Sequence, residues 1–275
     1  MRYTLQSGKY AFKNFFYIFP FAVIPALFLS LSTDQTALSF ILKHFFSGTM
    51  QSWDYGNLFC AVSVLNFGSL RAIGFGLIGI VAIVVCVSMV MALMEKHMRF
   101  GKRTFNGIFS KLNDNLIPTG GYTLLLLVMY EVWGLITAAL LFIVSRIPIV
   151  WLAYVFISLV MILMHFGLLY GINLIYLWLP CMQITGFPAA EALQYSNQLS
   201  KPAKWRILAS QTFFLFMVET LIFVCVLFAV EWITFTIIST MLFAVLIIVY
   251  CVRMQIVYFD LDGIERKDLK KYYQR

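Results

Sequence analysis

Residues 147–185 contain no Asp, Glu, Lys or Arg. As one helix, 147–180 would be roughly 50 Å long at ~1.5 Å per residue. The hydrocarbon layer of a bilayer is only ~30 Å thick. The rest of the chain is similar in kind: 62% of its residues are hydrophobic and 12% charged. A soluble domain has roughly half and a quarter. No soluble core can hide this much apolar surface, so lipid is the solvent and the fold class is an all-α integral membrane protein.

Six apolar segments reach or approach the ~20 residues needed for a crossing. They cover about 15–32, 72–94, 122–144, 147–180, 207–230 and 233–258 of a single membrane domain, 1–275. The basic start and apolar 15–32 run are read as a retained first span, since no strong cleavage site follows. With both termini cytoplasmic, seventeen of the twenty Lys and Arg lie inside, leaving Lys43, Arg71 and Arg146 outside. A seventh span would reverse the majority, so the positive-inside rule favours a single long fourth helix from Ile147 to Pro180. The expected location is the cytoplasmic (plasma) membrane, multi-pass. The net charge of +8 then reflects orientation against anionic headgroups rather than nucleic-acid binding.

The outer loop 33–71 places Leu38, Ile41 and Phe45 opposite Lys43 and His44, which predicts a short surface helix. A unit of amphipathic stretch, polar junction and two-span hairpin occurs three times. Phe105, Ile108, Phe109 and Leu112 form the middle stretch behind a Thr104 N-cap, in a helix separate from span three. Pro188 starts the last, with Ala192, Tyr195 and Leu199 on one face. Leu5 and Phe12 mark the first. These stretches predict cytoplasmic interfacial helices. The tail 259–275 reads as a turn and a charged surface helix. Its Asp260 and Asp262 do not form a calcium loop, because the twelfth position is Lys271 rather than Glu.

Two acids interrupt the apolar runs: Glu131 and Glu219, each in a span rising from the inner side. A buried, unpaired carboxylate takes up a proton, and acids in membrane spans mark functional sites by default. Both are expected to face one shared interior, near the polar candidates His165, Tyr170 and Asn173, with Tyr130, Thr137 and Thr220 as further partners. One reading makes them a proton or cation site; the other makes them neutral ties between helices. His165 alone falls short of the three or four ligands of a metal site. The five cysteines show no CxxC and predict neither metal nor disulfide. There is no GxxxxGK[ST], GxGxxG or HExxH, so neither cofactor nor catalytic residue is assigned.

The segments "LQYSNQLSKPAKWRIL" and "VRMQIVYFDLDGIERKDL", with the six-span layout, resemble a broad group of bacterial membrane proteins. That group is related to the membrane domain of glycerophosphodiester phosphodiesterases. The resemblance covers most of the chain after about residue 70 and implies architecture only, because the phosphodiesterase barrel is missing. The sequence therefore predicts a non-enzymatic, transport-like or scaffolding component with an inward-facing polar cavity. Its partners are the bilayer and other membrane subunits or an ATPase. Two alternatives stand beside it, a permease subunit of an ATP-driven transporter and an intramembrane lipid-processing enzyme.

Overall fold

The computed structural model describes residues 2–228 and 231–272, and no strand occurs among them. Eleven α-helices follow one another: α1 Arg2–Lys13, α2 Phe15–Ser32, α3 Gln35–Phe46, α4 Tyr55–Val62, α5 Leu70–Phe100, α6 Ile108–Ser145, α7 Val150–Leu174, α8 Trp178–Thr185, α9 Ala189–Ser200, α10 Lys204–Leu227 and α11 Trp232–Leu261. Six segments are long and apolar enough to cross a membrane: α2, α5, α6, α7 with α8, α9 with α10, and α11. The protein is an all-α, multi-span membrane protein.

At the centre, α2 packs against both α5 and α11. Its Ala22, Ala26 and Ser30 are buried, and small residues let helix backbones come close where lipid supplies no hydrophobic drive. Gly79 of α5 answers them, since a Cβ there would meet Phe28 Cβ and Leu29 Cδ2 at 3.4 Å. Ser30 also bridges to α11 through the Thr236 carbonyl at 3.0 Å and the Ser239 hydroxyl at 2.5 Å.

Helix α1 folds back across one end of the bundle. It turns Tyr3, Ser7, Tyr10 and Ala11 inward and leaves Leu5 and Phe12 exposed. The Tyr3 hydroxyl donates to Asp260 Oδ2 at 2.8 Å, which puts both ends of the chain on one face. On this terminal face Tyr10 lies 2.7 Å from His97 Nδ1. Burial first, with Asp268 adding, pushes the Tyr10 hydroxyl well above its ordinary value, so it keeps its proton. Arg103 Nε donates to Asn14 Oδ1 at 2.9 Å across the α1–α2 joint. The tail returns as a 3₁₀ turn, Lys267–Tyr272, against the end of α5.

The spans differ in length, and the difference shapes the opposite face. Helix α6 has 38 residues and α2 has 18, roughly 57 Å against 27 Å at 1.5 Å per residue. Ser88 of α5 meets Thr119 of α6 at 2.8 Å. Running antiparallel from there, α5 ends well before α6 does. The remaining length of α6 is clad by α4, and α3 packs on α4 and α10. Asp34 caps α3 by accepting from the Thr36 and Ala37 N–H groups. Met50, Trp53 and Leu58 bury themselves against Ala138, Leu141, Ala153 and Ile157. Arg146 donates to the Trp53 carbonyl at 3.1 Å and lies over the Phe142 ring. The expected surface helix is present as α3, but the loop as a whole is a packed cap.

Two sequence expectations need correction. The fourth segment is not one helix from Ile147 to Pro180: α7 stops at Leu174, residues 175–177 turn, and α8 begins at Trp178. Pro180 supplies the reason, because a proline lacks the N–H for an i−4 bond and its ring collides with that carbonyl. It is accommodated in the first turn of a new helix instead. The stretch around Phe105–Leu112 is not a separate helix either. Thr104 accepts from the Asn106 N–H at 3.2 Å in a turn and is no helix N-cap; α6 starts at Ile108 after Gly107, whose φ is +64°, and runs unbroken to Ser145.

Gly76 marks the seam between α5 and the cap: a Cβ there would lie 3.0 Å from the Val64 carbonyl oxygen and 3.2 Å from Leu65 Cα. At Gly74 a Cβ meets nothing within 4 Å. Gly76→Val should therefore cost about 1–3 kcal/mol, as overpacking does, while Gly74→Ala leaves stability near that of the wild type. Thermal unfolding in detergent checks this, and equal melting of the two variants would contradict the seam.

Candidate functional site

Glu131 is half-buried on α6 and reaches the irregular chain between α4 and α5. Its Oε1 accepts from the N–H groups of Val64 at 2.9 Å and Leu65 at 3.1 Å, and its Oε2 accepts from the Ser63 hydroxyl at 2.8 Å. Asn66 secures the same turn by donating to the Ser32 carbonyl at 2.7 Å. Non-helical backbone next to lipid is tolerated only where protein satisfies its polar groups. Glu131 does so for two consecutive N–H groups.

Glu219 has a different neighbour. Its Oε1 lies 3.2 Å from His165 Nε2, with both side chains partly buried. His165 Nδ1 lies 2.9 Å from the Met161 carbonyl and so donates to it. A neutral imidazole that donates from Nδ1 has only an acceptor at Nε2. A proton between Oε1 and Nε2 completes the contact. Trp133 of α6 covers the ring edge-to-face at 5.1 Å and donates its indole N–H to the Met164 carbonyl at 2.8 Å. The pair ties α7 to α10, and Trp133 ties both to α6.

The two glutamates have different hydrogen-bond partners: one holds the α4–α5 turn and the other pairs with His165 of α7. Tyr170 and Asn173 lie further towards the terminal face and both meet Lys204, through its ammonium at 2.8 Å and its carbonyl at 3.2 Å respectively. Of the candidates drawn from sequence, Glu219 and His165 are hydrogen-bonded to each other.

The terminal half of the bundle holds a polar cluster that the sequence reading missed. Arg253 on α11 is 2% exposed. Its Nε donates to the Tyr176 hydroxyl at 3.0 Å, and its Nη1 donates to the Ser210 carbonyl at 2.9 Å and hydroxyl at 3.0 Å. The Ser210 hydroxyl in turn lies 2.6 Å from Thr4 of α1. Tyr176 packs edge-to-face on Tyr250, whose hydroxyl lies 2.6 Å from that of Tyr122. This chain of contacts passes through α1, α10, α11, α6 and the α7–α8 turn. An arginine inside an apolar run was the available signal, but a tally of basic residues counts Arg253 only as a boundary charge.

Near it, α6 and α8 enclose a crevice of about 660 Å³ on the terminal side. Lys111, Asp114, Asn115 and Gln183 supply its polar wall, and Trp178 and Phe187 its aromatic one. Lys111 also binds the buried Glu95 at 2.9 Å, with Arg99 on the other oxygen at 3.2 Å. No family model, curated protein or solved structure matches the chain.

The Glu131 geometry gives a direct test. In Glu131→Gln the amide oxygen can still accept from Val64 and Leu65 while its nitrogen donates to Ser63. Stability should then fall by no more than about 1 kcal/mol. Glu131→Leu strands two N–H groups at roughly 1–3 kcal/mol each. Chemical unfolding of the two variants side by side decides it: equal losses would remove Glu131 from this role.

Proposed function

We propose that the protein is a non-enzymatic, transport-like component of the cytoplasmic membrane, with both termini inside and a polar crevice open to the cytoplasm. The crevice between α6 and α8 carries the reading. Its volume of about 660 Å³ falls in the ~300–1,000 Å³ range of small-ligand sites, and its wall combines charged, amide and indole groups. The orientation follows from the basic residues, which cluster at the face bearing both termini. The six-span layout and the two quoted junction segments are the grounds for relating the chain to the phosphodiesterase-linked membrane group.

Gly121 lines this crevice, and a Cβ there meets nothing within 4 Å. Gly121→Cys is therefore a tolerated reporter, about 15 Å along α6 from Lys111 at 1.5 Å per residue. A membrane-impermeant maleimide should label it in inverted vesicles and not in intact cells, above the background of the five native cysteines. Labelling only from outside would reverse the orientation, and no labelling from either side would leave a closed scaffold in place of a transport-like protein.

A further inference from the structure

We propose that the crevice between α6 and α8 takes the headgroup of a zwitterionic phospholipid from the leaflet at the terminal face. The proposal rests on the reading of this crevice as an open binding site and names the ligand class for it. Much of the polar wall is already committed. The buried Asn115 amide donates to the Ser88 carbonyl, and the Gln183 amide donates to the Thr119 hydroxyl at 2.9 Å. The Lys111 ammonium holds Glu95 at 2.9 Å and the Gln183 carbonyl at 3.4 Å, but its side chain is still 27% exposed. Asp114 is exposed and, among the described residues, has neither a hydrogen bond nor an ion pair.

Lys111 and Asp114 stand three residues apart on α6, a spacing that puts two side chains on one helix face. Both line the crevice, yet they do not pair with each other. Glu95 serves both Lys111 and Arg99, so those three groups together keep one positive charge. The crevice thus presents a cation and an anion side by side. A ligand with a phosphate next to an ammonium matches both: the phosphate accepts from Lys111, and the ammonium donates to the Asp114 carboxylate. Trp178 and Phe187 add aromatic rings, whose faces attract ammonium groups. The Trp178 indole is held in place by donating to the Ala189 carbonyl at 2.8 Å. A purely anionic ligand would be set against Asp114, and a purely cationic one against Lys111.

The position of the crevice selects a lipid over a soluble zwitterion. Helix α6 changes character along it. The stretch 111–119 is largely polar, whereas 122–130 carries no charged residue. Trp178 lies level with Tyr122, their rings 6.4 Å apart, and tryptophan favours the headgroup level of a bilayer. The crevice therefore spans the boundary between headgroups and hydrocarbon. On the lipid side its wall runs on without a break. Ile117 and Gly121 line the crevice, and Leu124 and Val128 continue the same face of α6 at helical spacing, 61% and 51% exposed. An acyl chain on that stripe continues from a headgroup seated between Lys111 and Trp178. Gly121 leaves room for it, since a Cβ there meets nothing within 4 Å.

Native mass spectrometry of the full chain tests the site. Protein in detergent micelles is equilibrated with equimolar phosphatidylethanolamine and phosphatidylglycerol of matched chains, and the two single-lipid adducts are compared. Phosphatidylethanolamine should be retained about tenfold over phosphatidylglycerol, the order expected of one charge-assisted contact. Asp114→Asn removes an exposed, partnerless charge, so it should fold as the wild type does and bring the ratio near one. Gly121→Phe fills the space beside Ile117 and should reduce retention of both lipids. A further arm adds phosphoethanolamine, the headgroup without chains, which should not displace the lipid at equal concentration. A wild-type ratio at or below one, or an unchanged ratio in Asp114→Asn, would overturn the proposal. So would displacement by phosphoethanolamine, which would assign the crevice to a soluble zwitterion. Maleimide labelling at Gly121 needs no lipid: labelling from inside without a lipid preference rejects the ligand and keeps the transport-like reading, whereas absent labelling rejects that reading itself.

Discussion

In a bundle surrounded by lipid, every polar group not in a helix ladder has to find its partner inside the protein. Most of this architecture follows from that constraint. The turn between α4 and α5 exists because Glu131, Ser63 and Asn66 between them satisfy its backbone. The close contact of α2 with α11 is fixed by serine hydroxyls that bond across the seam. Glu219 and His165 solve the same problem by hydrogen-bonding to each other between α7 and α10. The acids that look most anomalous in the sequence are thus the well-partnered ones in the fold.

Arg253 is the departure from that pattern. Three neutral acceptors hold it in place, but none of them cancels its charge. The cluster around it links five elements, including the α1 helix that closes the terminal face.

The fold was largely legible in the sequence, because the length and hydropathy of a span are set by bilayer thickness. Phe15–Ser32, Leu70–Phe100 and Trp232–Leu261 are apolar runs that only lipid can surround. The helix at residues 35–46 was legible from its two-faced pattern. The α7–α8 break was less so: Pro180 signals it, but a proline reads equally well as the end of a helix or the first turn of the next. Helix α4 escaped notice because residues 55–62 carry no periodic charge, and their structure comes from packing on α6. The site was poorly legible. Sequence shows that an acid lies in a span, but not whether a neighbouring loop supplies donors to it. For Arg253 it shows a positive charge near a boundary, but not that the surrounding carboxylates are all elsewhere.

The central claim is that Glu131 of α6 holds the irregular chain between α4 and α5 by accepting from the Val64 and Leu65 N–H groups and the Ser63 hydroxyl. Hydrogen–deuterium exchange of the full chain in lipid nanodiscs, wild type against Glu131→Leu, tests it most directly. The account predicts faster exchange of residues 63–66 in Glu131→Leu, because the Val64 and Leu65 N–H groups lose their acceptor. Equal exchange of that segment in the two proteins would contradict it.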